Sequence, residues 1–124
     1  MTDPKRLGII LAGGTDPATR ELLREWLMAE GWRVVEEDGD DGARDGALVV
    51  VDEAFPRQGP SPVLQRAARR HAGTPVLMLS ATFHSSIECS GDVARSLGVA
   101  GVLPKPVRRD ALLSAVQHLS RASP

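Results

Sequence analysis

Five short apolar runs divide the chain: Leu7–Ala12, Trp32–Glu36, Ala47–Val51, Thr74–Ser80 and Val99–Leu103. Between most of them the spacing of apolar positions changes from continuous to helical. The third run is the most informative. Val49, Val50 and Val51 are β-branched with nothing polar among them, which suits a strand covered on both faces, as in a parallel sheet flanked by helices. Asp52 follows directly, at the carboxyl end of that strand. In open α/β sheets ligands bind at that edge, so Asp52 is a candidate site residue; capping of the next turn accounts for it equally well.

The intervening stretches predict helices. Asp16 stands in a cap position and Pro17 in the first turn, where its missing N–H costs nothing. Leu22, Leu23, Trp26 and Leu27 form one apolar face, and Gly31 ends the helix. Trp26 and Trp32 read as packing residues. A second helix opens at Ser61-Pro62, with Val63, Leu64, Ala67, Ala68 and His71 inward and Arg66, Arg69 and Arg70 outward. His71 reads as a charge partner near the helix end. Over Ala81–Leu97, Ser85 and Glu88 have capping-box spacing, yet Gly91 interrupts the pattern, which predicts a helix broken at its start. Leu112, Leu113, Val116 and Leu119 form the inner face of a closing helix. Glu37–Gly46, with four aspartates and three glycines, reads as a solvated loop; it lacks the ordered alternation and closing glutamate of a calcium loop. Strands alternating with helices imply a parallel α/β sheet with right-handed crossovers.

With 124 residues, 42% of them hydrophobic, the chain suits a single domain with a core spanning about residues 7–121. Fifteen basic and sixteen acidic residues give a formal charge of -1, which supplies no global pull toward nucleic acid or membrane. Cys89 is alone, so an internal disulfide and a cysteine-ligated metal cluster are excluded. No apolar run approaches the ~20 residues of a membrane span, and Met1–Arg6 lacks the layout of a secretion signal. A cytoplasmic protein is the expectation.

Three strand-end positions carry a family resemblance. Asp52 has Pro56 four residues later, Ser80 closes the fourth apolar run, and Lys105-Pro106 follows the fifth. In this order the chain resembles the receiver domain of two-component response regulators, a flavodoxin-like (βα)5 module with a five-stranded parallel sheet. The resemblance implies that Asp52 is the phosphoacceptor, that Lys105 supplies a cation, and that Ser80 donates a hydrogen bond to the transferred group. It also implies a cis bond before Pro106, no enzymatic activity, and a histidine kinase or phosphotransfer protein as donor. A downstream protein partner would bind the face made by the family's fourth helix, fifth strand and fifth helix, with no direct role for nucleic acid.

Departures from the pattern sharpen the expectations. Gly14 and Thr15 stand where the family has an acidic pair holding magnesium, which leaves Asp16, Asp52 and Glu53 as the available ligands and predicts weak or absent Mg2+ binding. Asp16 is accounted for by its capping role, and Glu53 starts out pointing away from Asp52. Val102 takes the place of the frequent switch aromatic, and the ten residues Glu37–Gly46 imply a second helix that is shortened or missing. Two functions follow: a phosphoacceptor switch, or a pseudo-receiver that binds a partner without phosphorylation. A phosphate-binding loop at Gly13-Gly14-Thr15 is weaker, because the spaced glycines and lysine of a P-loop are absent.

Overall fold

The computed structural model describes residues 8–12, 15–37, 46–53 and 62–120. They form β1 (Ile9–Leu11), α1 (Pro17–Ala29), β2 (Val34–Glu36), β3 (Leu48–Asp52), α2 (Pro62–Arg70), β4 (Val76–Ser80), α3 (Asp92–Leu97), β5 (Gly101–Pro104) and α4 (Arg109–Leu119). The strands make one parallel sheet in the order β2-β1-β3-β4-β5. This is the flavodoxin-like architecture that the receiver resemblance implied, and the parallel α/β sheet expected from the alternating pattern. Gly14, Pro56, the side chain of Val63, and residues 38–45, where the shortened or missing second helix was expected, lie outside the described residues.

Alternation along the strands divides the core between the two faces. Ile9, Leu11, Leu48, Val50, Leu77, Leu79 and Leu103 pack with Leu23 and Leu27 of α1 and Leu112, Ala115 and Val116 of α4. On the opposite face Ile10, Val49, Val51, Met78 and Val102 meet Leu64 and Ala67 of α2 and Ala94 of α3. Leu48–Val51 are all buried because both sides of the sheet are covered, and an apolar run without polar interruption is what such a strand needs.

Helix termination shortens two of the expected strands. After α1, Gly31 adopts φ 86°, and the Trp32 N–H donates to the Leu27 carbonyl at 3.0 Å, so Trp32 closes the helix and β2 begins only at Val34. At the end of α3, Gly98 has φ 76° and the Val99 N–H donates to the Ala94 carbonyl at 3.0 Å. Val99 is thereby part of a helix cap, and β5 starts at Gly101.

Other assignments change through packing. Leu22, placed on the inner face of α1, is 44% exposed, and Ala68 of α2 is also exposed. Arg70 does not face water freely: it pairs with Glu37 at 3.5 Å, and the buried His71 meets the same carboxylate at 2.5 Å. That contact joins the end of α2 to the residue following β2. Residues 81–91 form turns, and α3 contains only six residues, so the Ser85/Glu88 pair caps no helix. Phe83 and Ile87 pack against the core from this segment. No helix among the described residues is long and apolar enough to cross a membrane.

Candidate functional site

Parallel register brings the ends of β3, β4 and β5 together. Asp52 lies beside Leu79, and Ser80 beside Pro104. The Lys105 N–H donates to the Ser80 carbonyl at 3.0 Å, which fixes the lysine backbone at the end of β4, and the Lys105–Pro106 peptide is cis. From there the Lys105 ammonium reaches Asp52, Nζ to Oδ2 at 3.0 Å, with 7% of the aspartate side chain and 21% of the lysine side chain exposed. Such a contact between a nearly dry carboxylate and a half-buried ammonium is stronger than its surface equivalent.

A second donor comes from the start of α1. The Asp16 N–H points at the same Asp52 oxygen at 3.2 Å. The Asp16 carboxylate is turned to its own helix, where Oδ2 accepts from the Thr19 N–H and hydroxyl, each at 3.1 Å. Those contacts, first the backbone N–H and then the hydroxyl, hold the Asp16 carboxyl below the usual aspartate range. The sequence placed Asp16 as a cap; it did not reveal that the backbone of the same residue would serve Asp52. A long-range contact of this kind leaves no local signature.

Ser80 is fully buried, and its Oγ shares a hydrogen bond with Thr82 Oγ1 at 2.8 Å while accepting from the Thr82 N–H at 3.1 Å. Thr82 was not singled out from the sequence, although a hydroxyl residue two positions after a strand-end serine is a recognisable turn signal. Val102 is buried in the sheet. An apolar recess of about 300 Å³ opens beside Lys105, bounded by Ala18, Leu22, Leu23, Ala81 and Pro106.

Magnesium would set a demanding geometry for this edge. Its near-octahedral shell calls for several oxygen ligands, usually with one or two carboxylates. Asp52 is engaged by Lys105, the Asp16 carboxylate by Thr19, and the Thr15 hydroxyl donates to the Ala12 carbonyl at 2.7 Å. Glu53 is anchored by its N–H on the Leu79 carbonyl at 2.9 Å, and its buried Oε2 has no hydrogen-bond partner among the described residues. Among the described residues no three His, Cys, Asp or Glu side chains are grouped to hold a metal ion.

The chain matches no protein-family model. It is 34% identical over 116 residues to the "Regulator of RpoS" of Escherichia coli K12, and equally to that of Shigella flexneri, covering 87% of this chain and 33% of each relative. The chain therefore spans about a third of the length of the curated relatives it matches. Among solved structures, the Vibrio cholerae chemotaxis protein CheY4 superposes with a TM-score of 0.66 at 20% identity, over 91% of this chain and 98% of that one. A response regulator from Burkholderia multivorans gives 0.58 at 25% identity, over 95% and 98%. The receiver domain of the Pseudomonas aeruginosa sensor kinase PA1611, with magnesium coordinated in its active-site cleft, gives 0.60 at 18% identity, over 90% and 96%. Sheet order, strand-end residues and these similarities lead to one assignment: the chain has the fold of response-regulator receiver domains.

Proposed function

We propose that this receiver accepts a phosphoryl group on Asp52 from a partner histidine kinase or phosphotransfer protein and signals by protein contact. The observation that carries the proposal is the 3.0 Å approach of Lys105 to Asp52 at the carboxyl edge of the sheet. In the transfer, an Asp52 oxygen attacks the phosphorus of a phosphohistidine, the P–N bond breaks with its electron pair returning to the imidazole, and an acyl phosphate forms. Catalysis of this kind is positioning plus electrostatic stabilisation. Lys105 offsets negative charge on the phosphoryl oxygens, and Ser80 hydrogen-bonds one of them after exchanging its Thr82 contact. The output face is that of α3, β5 and α4, where a recess of about 410 Å³ lies between Ile87, Leu103, Pro106 and Arg108.

A second reading, a pseudo-receiver that binds its partner without phosphorylation, is favoured by the unsuitable magnesium donors and by the engaged hydroxyl of Thr15. One experiment separates the two. The protein is incubated with magnesium and a small phosphoramidate donor and weighed intact. The proposal expects a phosphoryl adduct that Asp52→Asn abolishes. An unmodified mass, with partner binding preserved in Asp52→Asn, would establish the pseudo-receiver instead.

A further inference from the structure

Away from the strand ends, a groove of about 490 Å³ runs between α2 and α3. Its floor is apolar, formed by Leu64, Val76 and Leu97, all three in or against the core on that face of the sheet. Small residues, Ala68 and Gly98, leave its walls open. The rims are cationic. Arg69 projects from α2 and Arg95 from α3 on opposite sides.

Basic residues outnumber acidic ones on the two helices that wall the groove. The sequence of α2 holds Arg66, Arg69 and Arg70 and no acidic residue. Arg70 turns to Glu37, whereas Arg66 and Arg69 are exposed and form no ion pair among the described residues. Among the described residues the Arg95 guanidinium pairs with Asp92, in an exposed contact three residues apart whose energetic weight is small. Because the whole chain carries a formal charge of -1, this positive patch is a local feature, not a reflection of overall composition.

We infer that the groove docks an acidic amphipathic helix of a partner protein. A groove walled by two helices and lacking a free strand edge accepts a helix, whose apolar residues at i and i+4 would rest on Leu64, Val76 and Leu97. Carboxylates flanking that stripe would meet Arg69 and Arg95, which sets orientation and rejects a basic helix. The surface is separate from Asp52 and Lys105, and its use does not depend on phosphorylation.

Two synthetic peptides with the same leucine spacing test it, one carrying glutamates on the polar face and the other lysines. In 15N NMR titrations the glutamate peptide should shift the amides of Ala68, Arg69, Ser96 and Leu97. Arg69→Glu should weaken its binding about tenfold or more, and Ala68→Glu should block the groove, while Arg109→Glu on α4 leaves the affinity unchanged. Circular dichroism of each variant separates lost binding from lost fold. Equal binding of the lysine peptide, displacement of the glutamate peptide by a short DNA duplex, absence of binding at millimolar peptide, or shifts centred on Leu22 and Val107 would each overturn the inference.

Discussion

Replacing Lys105 by methionine removes the ammonium from Asp52 while keeping most of the apolar stem, so the change in stability reports the charge. At 3.0 Å and an effective dielectric of about 20, two unit charges attract by roughly 5–6 kcal/mol. Desolvation of both ions and the ordering of the lysine side chain offset most of that attraction. With 7% of Asp52 and 21% of Lys105 exposed, the pair lies between an exposed bridge and a fully buried one. Lys105→Met leaves Asp52 its hydrogen bond from the Asp16 N–H, and a loss of about 2 kcal/mol is expected, less than the 3–5 for stranding a fully buried charge. Asp52→Asn keeps the shape and removes the charge, so the double variant should recover about 1 kcal/mol of that loss. Urea unfolding of wild type, both single variants and the double variant measures the cycle, and a constant m-value shows that the denatured state is unchanged. If the two effects add to within about 0.5 kcal/mol, the contact is not an energetic coupling and the electrostatic account of the site fails.

Gly101→Ala should destabilise by only about 1 kcal/mol, at the low end for overpacking, because an added Cβ would crowd the side-chain ends Leu119 Cδ1 and Cys89 Sγ, which can turn aside; thermal unfolding checks it. Asp16 is held below its ordinary pKa, so its contribution to stability is complete above the unfolded-state pKa and is lost as the pH falls through the folded one. The stability difference between wild type and Asp16→Ala should therefore narrow in the acid limb of a pH series; a gap that widens on acidification would contradict the assigned hydrogen bonds. Magnesium should perturb the amides near Asp52 only at high concentration, and Thr15→Asp should strengthen the response in an NMR titration; tight binding by the unmodified protein would show that Glu53 and Asp16 are ligands after all. Amides of residues 85–91, which lie in turns, should exchange faster than those around Trp26 in α1, and equal protection would refute that ordering.

Strand interiors and helix faces were legible because they follow local periodicity. Val49–Val51, Val76–Leu79 and the Leu112/Val116 stripe each occupy the positions expected from spacing alone. Boundaries were less so. Trp32 and Val99 look like strand residues, yet a preceding glycine with positive φ lets each N–H close a helix end. Leu22 illustrates a different limit: a helical stripe of four apolar residues is wider than the part of α1 that α4 and the sheet cover, so one member is left exposed. The Arg70–Glu37 and His71–Glu37 contacts join residues more than thirty positions apart, and nothing in local spacing announces them.

The candidate site divides in the same way. Asp52, Ser80 and Lys105 could be read from the sequence because each terminates an apolar strand, and parallel register then delivers three such ends to one edge. The approach of Lys105 to Asp52 follows from that shared edge, but their other partners could not be read. Asp52 is satisfied by a lysine from one crossover and a backbone N–H from another, while Ser80 turns to a hydroxyl two residues on. Both residues therefore have partners before any phosphoryl group arrives. Phosphorylation would have to exchange these contacts, and the free energy of a switch is the difference between two sets of partners, not the strength of the new set. A receiver whose resting contacts are already good has a smaller difference to work with. Weakening those contacts, at Thr82 for Ser80 or at Lys105 for Asp52, therefore acts on the resting state as much as on the phosphorylated one, so the two positions report on the switch in different ways. Under the proposed function Thr82 holds Ser80 only at rest, whereas Lys105 serves Asp52 at rest and the phosphoryl group afterwards.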